Sequence, residues 1–147
     1  MEHATVKEHI DIDTPAAEIF DFILDTRKTP LVFPDLVEIT NASDYPLKQG
    51  STFDFIFQMS GVMLKGTWHA LRVDSPHRYE GKTTGDVEST WHYNFESHGH
   101  STTVSLEIDY GIPKNVSEKM KMMALVAINR RVAQTYLQNL KTILEVE

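Results

Sequence analysis

The side chains able to do chemistry in this sequence are seven histidines, five tyrosines and two tryptophans, in a chain without cysteine. Lacking thiols, it has no disulfide, no cysteine nucleophile and no thiolate metal site. The tightest histidine pair, His98-Gly99-His100, falls in a turn with no carboxylate arranged as a third ligand, so a solvated loop is expected there and no metal site. His92 alternates with Trp91 and is expected to face solvent from the other side of its strand. No GxSxG, HExxH, P-loop or GxGxxG run occurs. The commoner hydrolase, metalloprotease, nucleotide and dinucleotide mechanisms are thereby removed, and no cofactor is implied. For proton transfer or hydrogen bonding there remain His69, Tyr93, Asn129 and Tyr136. Such groups suit acid–base chemistry on a bound carbonyl compound, although no spacing among them compels a reaction.

Hydrophobic periodicity defines the elements that must hold these groups. Val6, Ile10 and Ile12 alternate with charged residues as a strand with one buried face does. Thr14-Pro15 reads as a helix N-cap with proline at the first helical position and Glu18 in the first turn. Ile19, Phe20 and Ile23 share a face of that short helix, and a second, very short helix is expected between Pro30 and Pro34. Period two returns at Val37–Thr40. From Ser51 to Met59 it places Phe53, Phe55, Phe57 and Met59 on one face. Further strands are predicted over Val62–Asp74, Arg78–Thr83, Val87–Glu96 and Thr102–Tyr110, with turns at Ser60-Gly61, Ser75-Pro76, Thr84-Gly85-Asp86 and Gly99. Trp91, Tyr93 and Phe95 share one inward face, and Val104, Leu106, Ile108 and Tyr110 another.

Gly111-Ile112-Pro113 breaks the pattern, and from about Ser117 a helical period runs on without an internal Gly or Pro. Met122, Leu125, Val126, Asn129, Val132, Ala133, Tyr136, Leu137, Leu140, Ile143 and Leu144 form its apolar stripe. A helix of roughly 28 residues spans about 42 Å, enough to cross a sheet. The expected class is α+β with a helix-grip architecture. Seven curved antiparallel strands wrap one long C-terminal helix, and two short helices lie between strands one and two. No linker, low-complexity tract or repeat divides residues 1–147, so one domain is expected.

Composition agrees with an ordinary globular chain, 41% hydrophobic and 24% charged. A net charge of -7 makes nucleic acid an unexpected partner, because phosphate neutralisation needs a concentrated basic surface. The opening MEHATVKEHIDID alternates where a signal peptide would be continuously apolar, and no window approaches a membrane span. A cytoplasmic protein without integral membrane association is expected; its oligomeric state is left open.

Several phrases carry a family likeness. HIDIDTPAAEIFDFILD is similar to the opening strand-and-helix segment of the START-like, or SRPBCC, superfamily. VFPDLVEI resembles its second-helix to second-strand junction, LRVDSPHRYEG its central hairpin, and GHSTTVSLEIDY the segment entering its seventh strand. The likeness spans nearly the whole chain and is greatest to the polyketide cyclase/dehydrase and lipid-transport group. SDYPLKQGST departs from the allergen-like branch in lacking a glycine-rich loop. The resemblance implies a fold and a ligand cavity; it carries no catalytic signature.

A bent sheet cannot keep a constant distance from a straight helix, so side chains fill one end and leave space at the other. The residues expected to line that space are Phe53, Phe55, Phe57, Trp91, Tyr93, Phe95, Met122, Val126 and Tyr136, with Phe33 and Leu36 near a mouth. Asn129 interrupts the helix stripe and could orient a ligand. Either Trp68 or His69 faces inward, depending on a bulge in the fourth strand. The leading expectation is binding or transport of a small hydrophobic molecule such as a lipid, quinone or aromatic polyketide. The alternatives are a cyclase or dehydratase using the same cavity, and a protein-interaction module.

Overall fold

The computed structural model describes residues 2–59, 61–112 and 119–146, with side chains for all of these except 2, 59, 62, 112 and 119–125. The segments of period two form strands β1 (Glu2–Ile12), β2 (Leu36–Thr40), β3 (Thr52–Met59), β4 (Val62–Asp74), β5 (Arg78–Gly85), β6 (Ser89–His98) and β7 (Ser101–Ile112). The helices are α1 (Ala16–Leu24), α2 (Thr29–Val32) and α3 (Lys119–Glu145). The seven strands make one antiparallel sheet in the order β1-β7-β6-β5-β4-β3-β2. β1 and β2 are thus its two edges, and α1 with α2 must cross from one edge to the other. They close one end of the space that the sheet and α3 enclose.

Several strand boundaries differ from the sequence expectation. β5 continues to Gly85 and β6 starts only at Ser89, while β7 runs on through Gly111. Cross-strand pairing decides these ends: Glu2 and His3 of β1 pair with Ile112 and Gly111 and hold that glycine in the ladder. Thr14 is a further difference. It does not cap α1, whose flanking residue is Pro15 and whose first turn is closed by Glu18 N and Ile19 N donating to Pro15 O. Thr14 is buried; its hydroxyl donates to Leu144 O at 3.4 Å, and its carbonyl accepts from Thr102 Oγ1 at 2.8 Å. Tertiary burial here overrides local capping chemistry.

The same corner fastens the C-terminal end of α3. Asp13 N donates to Glu145 Oε2 at 2.8 Å, Lys141 Nζ donates to Asp11 O at 2.7 Å, and Asn139 Nδ2 donates to Val32 O in α2 at 3.1 Å. Behind these bonds Ile12, Ile19, Phe20, Val104, Leu137 and Leu140 are 0–2% exposed and belong to one core cluster. Burying a side chain of this size stabilises the fold by roughly 1.5–3 kcal/mol.

In β4 the register slips between Ala70 and Arg72, leaving Leu71 47% exposed. The bulge comes after Trp68, which pairs with Phe53 and turns inward at 8% exposure. Gly81 of β5 makes this possible. A Cβ there would collide with the Trp68 indole, which lies directly over the glycine backbone. Among the described residues no helix is long and apolar enough to cross a membrane.

Candidate ligand cavity

Away from the packed corner, the inward faces of β3 to β7 diverge from α3 and enclose a cavity of about 530 Å³. Phe53, Phe55 and Phe57 of β3, with Leu64 and Trp68 of β4, form one wall. Tyr79 and Thr83 of β5, Ser89, Trp91 and Tyr93 of β6, and Ile108 and Tyr110 of β7 continue it. Asn129, Val132, Tyr136 and Leu140 of α3 face them, and Val32, Phe33 and Leu36 close the side next to α2. Gly85, Asp86 and Glu88, all exposed, lie at the rim in the β5–β6 turn. Gly85 takes a positive φ of 108° and has Lys65 O 2.8 Å from where a Cβ would stand, so only glycine fits.

The aromatic walls follow from strand alternation plus register. Phe53 stacks on Trp68 at 6.4 Å between centroids, Trp68 tilts against Tyr79 at 6.1 Å, and Tyr79 stacks on Tyr93 at 5.2 Å. Across the cavity Phe33 stacks on Tyr136 at 4.2 Å and 10°, and meets Trp91 edge-on at 5.9 Å. Phe33, Phe57 and Val132 also line a smaller cavity of about 290 Å³, so these side chains form the partition between the two spaces. Polar groups are few and mostly paired. Trp68 Nε1 donates to Tyr79 Oη at 2.8 Å, and Tyr93 Oη donates to Tyr136 Oη at 3.0 Å. Trp91 Nε1 donates to Ser89 Oγ at 3.0 Å, and Thr83 Oγ1 donates to Val87 O at 2.9 Å.

Electrostatically the interior favours neutral groups. Burial raises the pKa of Tyr79, Tyr93 and Tyr136 above the ordinary phenol value, with the neighbouring Tyr136 adding to the rise at Tyr93. Tyr110 is raised by burial too, and the Asn129 amide beside it partly offsets this. All four phenols stay protonated at neutral pH, and Tyr93 uses its proton to donate to Tyr136.

Of the residues expected at the cavity, Phe33, Leu36, Phe53, Phe55, Phe57, Trp68, Trp91, Tyr93, Asn129 and Tyr136 come together in its lining. Three do not appear there, and a fourth is not described. His69 turns to the other face of β4, where Nε2 lies 3.0 Å from Thr84 Oγ1, because pairing of Trp68 with Phe53 fixes the opposite side as inward. Phe95 packs beyond the cavity against Phe20 at 5.1 Å, on the filled side of the core. Val126 is half-buried against the core without lining the cavity, and the Met122 side chain lies outside the described residues. Sequence reasoning missed Tyr79, although Tyr79, Gly81 and Thr83 follow the same alternation as their neighbours. It also named the inward face of β7 without carrying Tyr110 to the site.

The outer face of the sheet holds His92, expected in solvent but half-buried among acids. Its Nδ1 lies 3.0 Å from Glu80 Oε2 and its Nε2 3.5 Å from Asp109 Oδ2. With Glu107 and Asp109 it is the one group of three metal-ligating side chains found together among the described residues. Lys7 already pairs with Glu107 at 3.4 Å, and Thr5 Oγ1 donates to Asp109 at 2.6 Å. A surface network of polar pairs therefore accounts for these positions. His98 and His100 are both exposed, with His98 Nε2 3.1 Å from Thr103 Oγ1.

Comparison with known proteins places this geometry. The fold is similar to that of a protein from Thermus thermophilus, at 12% identity and a TM-score of 0.83 over 97% of this chain and 98% of that one. It is also similar to the Zhui aromatase/cyclase from Streptomyces, at 12% identity and 0.81 over 98% and 94%. A START superfamily protein from Mycobacterium smegmatis matches at 13% identity and 0.79 over 99% of both chains. At such identities the likeness is one of fold alone. No curated protein matches the sequence. Residues 3–145 do match the family described as polyketide cyclase / dehydrase and lipid transport. With that match covering nearly its whole length, the chain belongs to the polyketide cyclase / dehydrase and lipid transport family.

Proposed function

We propose that this protein binds and carries a small hydrophobic, ring-bearing molecule in the cavity between the sheet and α3. The observation that supports this most is the cavity itself. Protein interiors leave few voids larger than a water molecule, yet about 530 Å³ stays open behind walls of Phe53, Phe55, Phe57, Trp68 and Trp91. That volume falls within the roughly 300–1,000 Å³ of small-molecule sites, and the mix of apolar walls with a few placed polar groups is what such sites use. Flat aromatic walls favour planar or polycyclic ligands, which can stack on them. Family membership supports the same reading.

The cyclase or dehydratase reading draws on the Tyr93–Tyr136 pair, which could polarise a carbonyl. Its histidine candidate, His69, faces away from the cavity, and the phenols are held protonated. The described lining thus favours binding over proton abstraction.

Native mass spectrometry of freshly purified protein, with a thermal-shift screen of lipids, quinones and aromatic polyketides, tests the proposal. A binder at a hundredfold excess over its Kd adds about 2.7 kcal/mol, or roughly 5–10 °C in Tm for a chain of this size. No retained mass and no shift with any of the three classes would overturn it.

A further inference from the structure

Resting on the cavity reading just given, we infer that the occupant is an uncharged molecule whose oxygen acceptor, a ketone or similar group, is bound by the hydroxyl of Tyr136. Tyr136 Oη accepts a hydrogen bond from Tyr93 Oη at 3.0 Å. A phenol that accepts still holds its own proton. Among the described residues, Tyr136 donates that proton to no protein group, although its side chain is 2% exposed and lines the cavity. Its ring is stacked on Phe33 at 4.2 Å and meets Tyr93 edge-on at 6.2 Å, so the hydroxyl is held in place.

Two neighbours repeat the arrangement. Tyr79 Oη accepts from Trp68 Nε1 and donates to nothing among the described residues. The Tyr110 hydroxyl is shielded from solvent without a well-formed hydrogen bond there. Three buried phenols facing one space thus carry donor capacity that the described protein groups do not use, whereas Trp91, Ser89 and Thr83 are paired among themselves and with Val87 O. An occupant that brings acceptors gains hydrogen bonds there, and a pure hydrocarbon gains none.

Charge narrows the class further. The charged side chains among the described lining residues are Asp86 and Glu88, both at the exposed rim, and no lysine, arginine or histidine joins them. Among these described lining residues an anionic ligand would meet donors, no cation, and two carboxylates at the rim, a poor setting for a buried charge.

Matched probes test this: fluorene, 9-fluorenone, which replaces its methylene by a carbonyl, and fluorene-4-carboxylate. Binding is read by quenching of Trp68 and Trp91. We expect 9-fluorenone to bind about 3- to 10-fold more tightly than fluorene, the span of one net hydrogen bond, and the carboxylate to bind less tightly than either. In Tyr136→Phe the ketone preference disappears while fluorene affinity holds. That variant strands the buried Tyr93 hydroxyl, so Tyr93→Phe/Tyr136→Phe, which removes both partners and leaves neither unsatisfied, repeats the measurement in a fold checked by thermal unfolding. Equal affinity for fluorene and 9-fluorenone, a preference that survives in the double variant, or tightest binding of the carboxylate overturns the inference and leaves the cavity reading standing. Failure of all three probes to bind overturns both.

Discussion

At the C-terminal end of α3, Leu137 is buried with Ile12, Ile19, Phe20 and Val104, none of which lines the cavity, and Leu140 sits where that core meets the lining. One to three turns nearer the N-terminus, Asn129, Val132 and Tyr136 face the hollow bounded by β3, β4 and the starts of β6 and α2. Both regions use large apolar and aromatic side chains, so composition does not separate them. What differs is how the surrounding elements meet the helix. α1 puts Ile19 and Phe20 into the filled end and Phe22 and Ile23 into the cavity lining, and hydrogen bonds from Asp13, Lys141 and Asn139 fasten the helix near the filled end. At the other end the divergence of sheet from helix is met by rings projecting from both sides that do not close the gap. Rings standing on adjacent strands brace one another and keep the walls apart. The same aromatic faces that look like core in a sequence thus act as core at one end and as a lining at the other.

The comparison can be broken most directly by truncating one ring at each end. Phe20→Ala is expected to cost about 3–5 kcal/mol, the range for opening a void in a packed core. Phe55→Ala, which trims a half-buried wall of an existing space, is expected to cost only about 1 kcal/mol. Urea unfolding of both variants gives the two numbers, and equal costs would mean that the hollow end is packed like the filled one.

A smaller effect is expected at Gly81. An alanine there drives its methyl into the Trp68 indole, and relieving that overlap costs about 1–3 kcal/mol. The displaced ring has the cavity to move into. Near-ultraviolet circular dichroism should therefore report an altered tryptophan environment, and ligand binding should weaken. A variant with unchanged spectrum and stability would show that Trp68 is not pinned by the glycine.

The smallest effect is the acid response, which sharpens the contrast in how the two ends are tied down. At the filled end Glu145 has its pKa lowered, first by the Asp13 amide and then by Lys141. Toward the hollow end Asp44 is lowered by the Ser51 and Ser43 hydroxyls, and Asp54 by Asn41 and Thr67. Asp25 is lowered by the forked Arg27 guanidinium, whose Nε and Nη2 lie 3.0 Å from its two oxygens. Each folded-state pKa lies below its unfolded value, so each contribution is present above the ordinary values of 3.8 for aspartate and 4.5 for glutamate and is lost as pH falls through the folded values. Tm should fall between pH 5 and pH 3, and Glu145→Gln should flatten that slope modestly. An acid limb unchanged in this variant would mean that the Glu145 bonds do not hold the helix terminus.

The strands, their inward faces and the terminal helix were legible because each depends on a short period. Phe53, Phe55 and Phe57 alternate, Trp91, Tyr93 and Phe95 alternate, and the stripe from Val126 to Leu144 repeats every three or four residues whatever lies elsewhere in the chain. The family phrases were legible for the same reason. Within such a face, however, period does not tell depth: Tyr93 and Phe95 are neighbours on one side of β6, and only Tyr93 meets the cavity. Thr14 shows the limit from the other direction, since a strong local capping signal yielded to a contact with Leu144, 130 positions away.

By itself the amino-acid sequence determined which residues alternate, where turns interrupt them, and that one long amphipathic helix closes the chain, because these are consequences of local backbone geometry. Only the tertiary structure decided that Trp68 and not His69 looks inward, that Tyr93 and Tyr136 share a hydrogen bond across 43 positions, and that about 530 Å³ stays open. Those outcomes depend on the register between strands and on the distance between layers. Both are settled by all the side chains packing at once, so no stretch of sequence contains them alone.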